Sequence, residues 1–152
     1  MHNTHFNDEL ARALIELVGL MNSARQDDLL IHEAGVSLDR ALFPLLVKIG
    51  MAGAIGVVEL ADLAGRDHST VSRQVAKLES LGLVTRQPGA TDRRVREAVL
   101  TEDGLATVKA LSAARRRLMD RFLAPWPDQD RADIARLLTK LTQTMKAAQA
   151  GN

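Results

Sequence analysis

The sequence predicts a mostly helical fold with one small β-hairpin: a winged helix-turn-helix lobe flanked by N- and C-terminal helices. Three observations predict it. Apolar residues recur at three- and four-residue steps along most of the chain. The β-type signal is confined to residues 83–100. Between Glu59 and Thr101 the order is a short helix, a turn, a second helix with a polar outer face, and a basic hairpin. With 152 residues, 46% of them hydrophobic and 3% aromatic, the chain fits one compact domain plus a helical appendage, with a core of Leu, Val, Ala and Ile.

The elements follow in order. From Phe6 to His32 the repeat of Leu10, Leu14, Leu17, Val18 and Met21 predicts one long helix, bent near residue 26. Gly35 ends it and Ser37 is the expected N-cap of the next helix. That helix carries Leu38, Leu42, Leu45, Leu46 and Ile49; Pro44 imposes a kink or a start near Ala41. Gly50, Gly53 and Gly56 close the element, and Ile55 suits a short bridging strand.

Val57 to Ala64 is the first helix of the motif, with Leu60, Ala61 and Leu63 expected inward and Gly65 at its end. Asp67 is a natural N-cap for the second helix. At 100° per residue, Val71, Val75, Leu78 and Leu81 share one side; Ser69, Ser72, Arg73, Ala76 and Lys77 point away, with Gln74 at the edge. Gly82 ends this helix. Leu83–Gln87 and Arg94–Leu100 form the hairpin around Pro88-Gly89. Thr101 caps a long helix with Glu102 and Asp103 in its first turn and a stripe of Leu105, Val108, Leu111, Leu118 and Phe122. Pro125-Trp126-Pro127 stops it, and Asp128–Ala148 forms the last helix, carrying Ile134, Leu137, Leu138, Leu141 and Met145.

Charge is distributed unevenly. Net charge is −5 over residues 1–65, +4 over 66–96 and +2 over 97–152, so the positive field gathers on the second motif helix and hairpin. A helix fits the major groove of duplex DNA, and residues near its start reach base edges. Arg73 can donate two bonds to guanine, and Gln74 can pair with adenine. His68, Ser69, Thr70 and Ser72 lie in or near the first turn; the hydroxyls reach bases or phosphates, and Lys77 suits a phosphate. On the hairpin tip, Arg93 and Arg94 are the DNA contacts, with Arg94 assigned to the minor groove. Asp92 holds an arginine in place, either Arg94 or Arg86 on the facing strand.

Other chemistry is excluded or weak. Without cysteine there is no disulfide, thiolate metal site or thiol switch. His2, His5, His32 and His68 lack the spacing of a zinc set. No nucleophile–base set, phosphate loop or dinucleotide fingerprint occurs, so neither an enzyme nor a cofactor is implied. Arg115-Arg116-Arg117 reads as a solvated helix face. The start MHNTHFNDEL lacks a signal-peptide pattern and no run approaches 18 apolar residues, which together predict a cytoplasmic protein.

The segments ELADLAG, STVSRQVAKLESLGLVTR, DRR and LTEDG, at these mutual spacings, resemble the MarR family of bacterial transcriptional regulators. The match is detailed over about residues 37–110; the flanking helices agree in length and order. The resemblance implies a homodimer built by interdigitating terminal helices and binding a palindromic operator. It further implies a repressor, released by a small, often phenolic or anionic, effector whose pocket lies between the dimerisation helices and the winged lobe. Carried over by position, Asp92 is the wing aspartate, Arg94 the minor-groove arginine, and Ser72 and Arg73 the recognition-helix pair. The chain departs from the family at Gly89-Ala90, where members often carry charge, and at Pro44. The expected divisions are an N-terminal dimerisation helix over 1–36, the DNA-binding lobe over 37–100 and C-terminal dimerisation helices over 101–152. No residue set identifies the effector. The runner-up is a winged-helix module for protein–protein assembly, against which the shared direction of Arg73, Lys77 and Arg94 argues.

Overall fold

A computed structural model describes residues 2–151, with side chains from residue 4 onward. The side chain of His2 therefore lies outside the described residues. Among the described residues, seven helices and three strands follow in the order α1 (His2–Met21), α2 (Ala24–Ala34), α3 (Phe43–Ala52), β1 (Ala54–Gly56), α4 (Val57–Ala64), α5 (His68–Ser80), β2 (Val84–Pro88), β3 (Arg96–Leu100), α6 (Glu102–Leu123) and α7 (Asp128–Ala150). The chain divides into two compact units, one reaching Arg115 and one starting at Arg116.

The expected long first helix is two helices. The break falls at Asn22-Ser23 rather than near residue 26, because Ser23 takes an extended conformation and its hydroxyl oxygen accepts the Gln26 N–H at 3.3 Å. Here a side-chain cap competes with helix continuation and wins. Ser37 does not cap α3. The N-cap position is Leu42, which makes no side-chain cap bond; ahead of it Asp39 closes a turn, its Oδ1 accepting the Ala41 N–H at 2.8 Å and its carbonyl accepting the Leu42 and Phe43 N–H groups. Pro44 then sits in the first turn of α3, where its missing donor costs nothing, so no kink is needed.

The core of the first unit is aliphatic. Leu45, Leu46 and Ile49 of α3, Leu60 and Ala61 of α4, and Val71, Val75 and Leu78 of α5 have no exposed surface. Leu63 and Leu81, expected inward, are 63% and 46% exposed. The buried face of α4 centres between Leu60 and Ala61, with Leu63 about 110° away from it at 100° per residue, and at Leu81 the chain has already left α5. In the part of α6 that belongs to the first unit, Leu111 and Ala114 are buried while Leu105 of the expected stripe stays exposed; past Arg115, Leu118 is buried and Phe122 exposed.

The sheet has the order β1-β3-β2, antiparallel throughout. β3 is the shared strand: Ala98 faces Ile55 on one side and Arg86 on the other. The three-residue strand carrying Ile55 is thus present, and the returning strand starts at Arg96, two residues later than expected. Residues 92–95 are used instead in the wing turn, where Val95 N–H donates to the Asp92 carbonyl at 3.1 Å. Thr101 caps α6 as expected, its Oγ1 accepting the Gly104 N–H at 3.0 Å.

In the second unit, the chain turns between α6 and α7 through Ala124–Pro127, with Arg131 donating to the Ala124 carbonyl at 3.1 Å. No side chain of α7 is buried. No helix among the described residues is long and apolar enough to cross a membrane.

Candidate nucleic-acid interface

Helix α5 begins where two backbone signals meet. Gly65 ends α4 with φ 65°, a left-handed turn that a side chain at that position would strain. The following Arg66 N–H reaches back to the Ala61 carbonyl at 3.1 Å and the Gly65 N–H to Asp62 at 3.3 Å, closing the helix end. Two residues later Asp67 caps α5. Its Oδ1 accepts the Thr70 N–H at 2.9 Å and the Ser69 hydroxyl at 2.6 Å, and its Oδ2 accepts the Thr70 hydroxyl. These bonds hold the Asp67 carboxyl far below the ordinary aspartate range, the Ser69 hydroxyl first and the Thr70 hydroxyl and N–H after it.

The expected outward face of α5 is outward. Ser69, Ser72, Arg73, Ala76 and Lys77 are exposed and Gln74 is half-buried at the edge. Their freedom differs. Ser69 and Thr70 spend their hydroxyl hydrogens on Asp67, so donation to a phosphate requires each hydroxyl to turn away from the cap. Arg73 lies over the first turn, one guanidinium nitrogen donating to Thr70 Oγ1 at 3.4 Å. His68 leans back toward α4, its Nε2 3.4 Å from Asp62 Oδ1. Thr70, Arg73, Gln74 and Lys77 also line one wall of a cavity of about 320 Å³, whose other wall is Asp39, Ala41 and Leu42.

The wing settles which arginine Asp92 holds. Arg94 grips it with two teeth, Nε to Oδ1 and a terminal nitrogen to Oδ2, both at 3.2 Å, and its own N–H adds a third bond at 3.1 Å. The bonds from the Arg94 side chain and N–H lower the Asp92 pKa. The Arg94 side chain is 90% exposed, so the pair orients the guanidinium and adds little stability. Arg93 is exposed beside it. Arg86 is not the partner of Asp92. It sits at the wing base, its Nε buried and 3.9 Å from Glu79 Oε1 on α5.

Two residues at this surface escaped the sequence reading. Arg66, in the α4–α5 turn, donates to the Ala41 carbonyl at 2.8 Å and to Gln74 Oε1 at 3.0 Å. Glu97 braces the wing tip, its Oε1 accepting the Ala90 N–H at 3.2 Å. Glu97 belongs to β3, and its reach back to the wing tip depends on how the turn closes; nothing in spacing announces Arg66. Among the described residues no group of three or more acidic or histidine side chains could hold a metal ion.

This arrangement has relatives. The sequence model of the MarR family matches residues 38–95, from the α3 approach to the wing. An uncharacterised HTH-type transcriptional regulator of Bacillus subtilis, YxaD, is 31% identical over 107 residues, spanning 70% of this chain and 75% of that protein. The HTH-type transcriptional repressor MdtR of the same organism is 26% identical over 108 residues, 71% and 70% of the two chains. Among solved structures, apo wild-type MarR from E. coli superposes with a TM-score of 0.69 and 25% identity, covering 84% of this chain and 95% of that one. Family match, relatives and fold agree with the element order built above: the chain belongs to the MarR family and is a helix-turn-helix transcriptional regulator, not an enzyme.

Proposed function

We propose that the protein binds a palindromic operator as a homodimer, represses transcription there, and leaves the DNA when a small aromatic or anionic effector binds. The observation that carries DNA contact is the one-sidedness of α5. Val71, Val75 and Leu78 are wholly buried, while Ser72, Arg73 and Lys77 stand in solvent beside a wing that holds out Arg93 and Arg94. Arg73 is the base reader, with Ser72 and Gln74 beside it. His68, Ser69, Thr70 and Lys77 meet the backbone, and Arg94 enters the minor groove, supported by Asp92 while Arg86 braces the wing base.

The dimer rests on apolar surface. Phe6, Leu10, Val18 and Met21 on α1 and Leu137 and Met145 on α7 are each about half exposed or more. Apolar surface on that scale is the usual mark of an interface, here with a second copy. Residues 1–36 and 101–152 thus serve dimerisation, and 37–100 DNA binding, inside the cytoplasm. Repression follows the related MdtR, named a repressor; effector release follows the family resemblance.

Selection of bound duplexes from a random pool, paired with light scattering of the complex, tests the reading. A palindrome with half-site centres about one helical turn apart, roughly 34–36 Å, bound by two subunits is expected. Absence of any enriched duplex overturns DNA recognition, and a single subunit on the selected duplex overturns the dimer.

A further inference from the structure

Gln74, at the edge of the outward α5 face, is held by a neighbour from another segment. Arg66 reaches it from the α4–α5 turn, and the same Arg66 nitrogen also donates to the Ala41 carbonyl ahead of α3. A terminal guanidinium nitrogen carries two hydrogens, and these two bonds use both. Arginine has no acceptor, so the Gln74 atom facing it must be the carbonyl oxygen. The orientation of the amide is therefore set by its partner: oxygen toward Arg66, NH₂ away from it, on a residue that shares the cavity wall with the exposed Arg73 and Lys77.

That polarity matters because the two purines differ at the groove edge. Adenine offers an acceptor and a donor, and glutamine satisfies both only by presenting oxygen and NH₂ together. Guanine offers two acceptors and needs donors alone. We propose that Arg66 is a positioning residue that fixes Gln74 with its NH₂ outward, so that Gln74 selects guanine over adenine at one position of each half-site. The reading rests on the DNA contact proposed above, and it reverses the adenine pairing that an unconstrained glutamine would favour.

The test is duplex selection from a random pool with the full chain and three variants, each checked for fold by circular dichroism. The unaltered protein is expected to favour guanine over adenine about two- to tenfold at one position per half-site, the worth of a single hydrogen bond. Gln74→Leu should flatten that position and no other. Gln74→Glu keeps an acceptor for Arg66 but offers the DNA no donor, so the preference should move from guanine to cytosine, whose amino group donates. Arg66→Met frees the amide and should let adenine compete at the same position while the rest of the site is unchanged. If Arg66→Met fails to fold, the two Gln74 variants still decide. The proposal is overturned if Gln74→Leu leaves every position unchanged, if Gln74→Glu keeps guanine, or if a folded Arg66→Met loses affinity alike on all sequences. Failure of the unaltered protein to enrich any duplex would instead count against DNA recognition itself.

Discussion

Gly104 and Leu83 approach so closely that a Cβ on Gly104 would collide with the Leu83 carbonyl oxygen. That oxygen also accepts the Thr101 N–H at 3.0 Å, and Thr101 Oγ1 donates to the neighbouring Gly82 carbonyl at 2.6 Å. The first turn of α6 is thereby clamped to the exit of α5. Gly104→Ala should force one of the two backbones to move, and should destabilise the protein by about 1–3 kcal/mol or more. Urea unfolding of the variant checks this; a midpoint equal to that of the parent would show the clamp to be yielding.

Helix α4 offers a paired comparison. Leu60 has no exposed surface and Leu63 is mostly exposed. Leu60→Ala should cost about 2–5 kcal/mol and Leu63→Ala less than about 0.5 kcal/mol in chemical denaturation. Similar losses for both would mean that Leu63 is covered in solution.

The Asp67 cap predicts an acid dependence. Its carboxyl is lowered in the folded protein, so its contribution is fully present above the ordinary value of 3.8 and is lost as pH falls from there through the lowered value. Asp92 shifts in the same direction. Asp67→Asn retains an acceptor without the titration, and its melting temperature between pH 5 and pH 2 should fall less steeply than the parent's, with the Asp92 share remaining. Parallel curves would remove Asp67 from the acid limb.

Arg73 and Arg94 should fail in different ways. Arg73→Ala is expected to cost about 1–3 kcal/mol on the selected operator and to relax base preference. Equal loss on operator and random DNA would reduce Arg73 to a phosphate contact. Arg94→Ala should weaken binding and lower the slope of log affinity against log salt by about 0.9 per contact removed. Fluorescence anisotropy over a salt series reads both, and an unchanged slope would take Arg94 off the DNA.

Removal of residues 126–152 takes away α7 entirely. The truncated chain should elute and scatter light as a monomer. A dimer of the truncated chain would place the interface elsewhere.

The helix-turn-helix and hairpin were legible because each boundary carries its own chemistry: Gly65, Asp67, Gly82, Pro88-Gly89 and Thr101 punctuate unambiguous apolar repeats. What escaped was decided by competition or by distance. Ser23 caps α2 and Asp39 sets the turn ahead of α3 in competition with other residues of similar capacity, and sequence alone does not rank them. Leu63 is apolar yet lies off the buried face of a helix only eight residues long, too short to define its own stripe. Arg66 finds Ala41 across 25 positions of chain, a pairing that exists only once the segment ahead of α3 lies beside the α4–α5 turn. At the site, residue types on the recognition helix were readable, whereas the donors already committed to Asp67 and the acceptor committed to Arg66 were not.

The position of β3 between β1 and β2 bears on how this protein tolerates insertion and deletion. Residues 90–94 lie beyond the last ladder pair, Pro88 with Arg96, and beyond the Gly89 N–H bond to the Val95 carbonyl, so the wing can lengthen or shorten there without disturbing either partner strand. One residue gained within Arg96–Leu100 would reverse the facing of Ala98 toward both neighbours at once, shifting the wing and the Gly56 entry to α4 together. Length variation across descendants of this sequence should therefore collect at the tip, leaving the five residues of the central strand constant in number even where their identities drift.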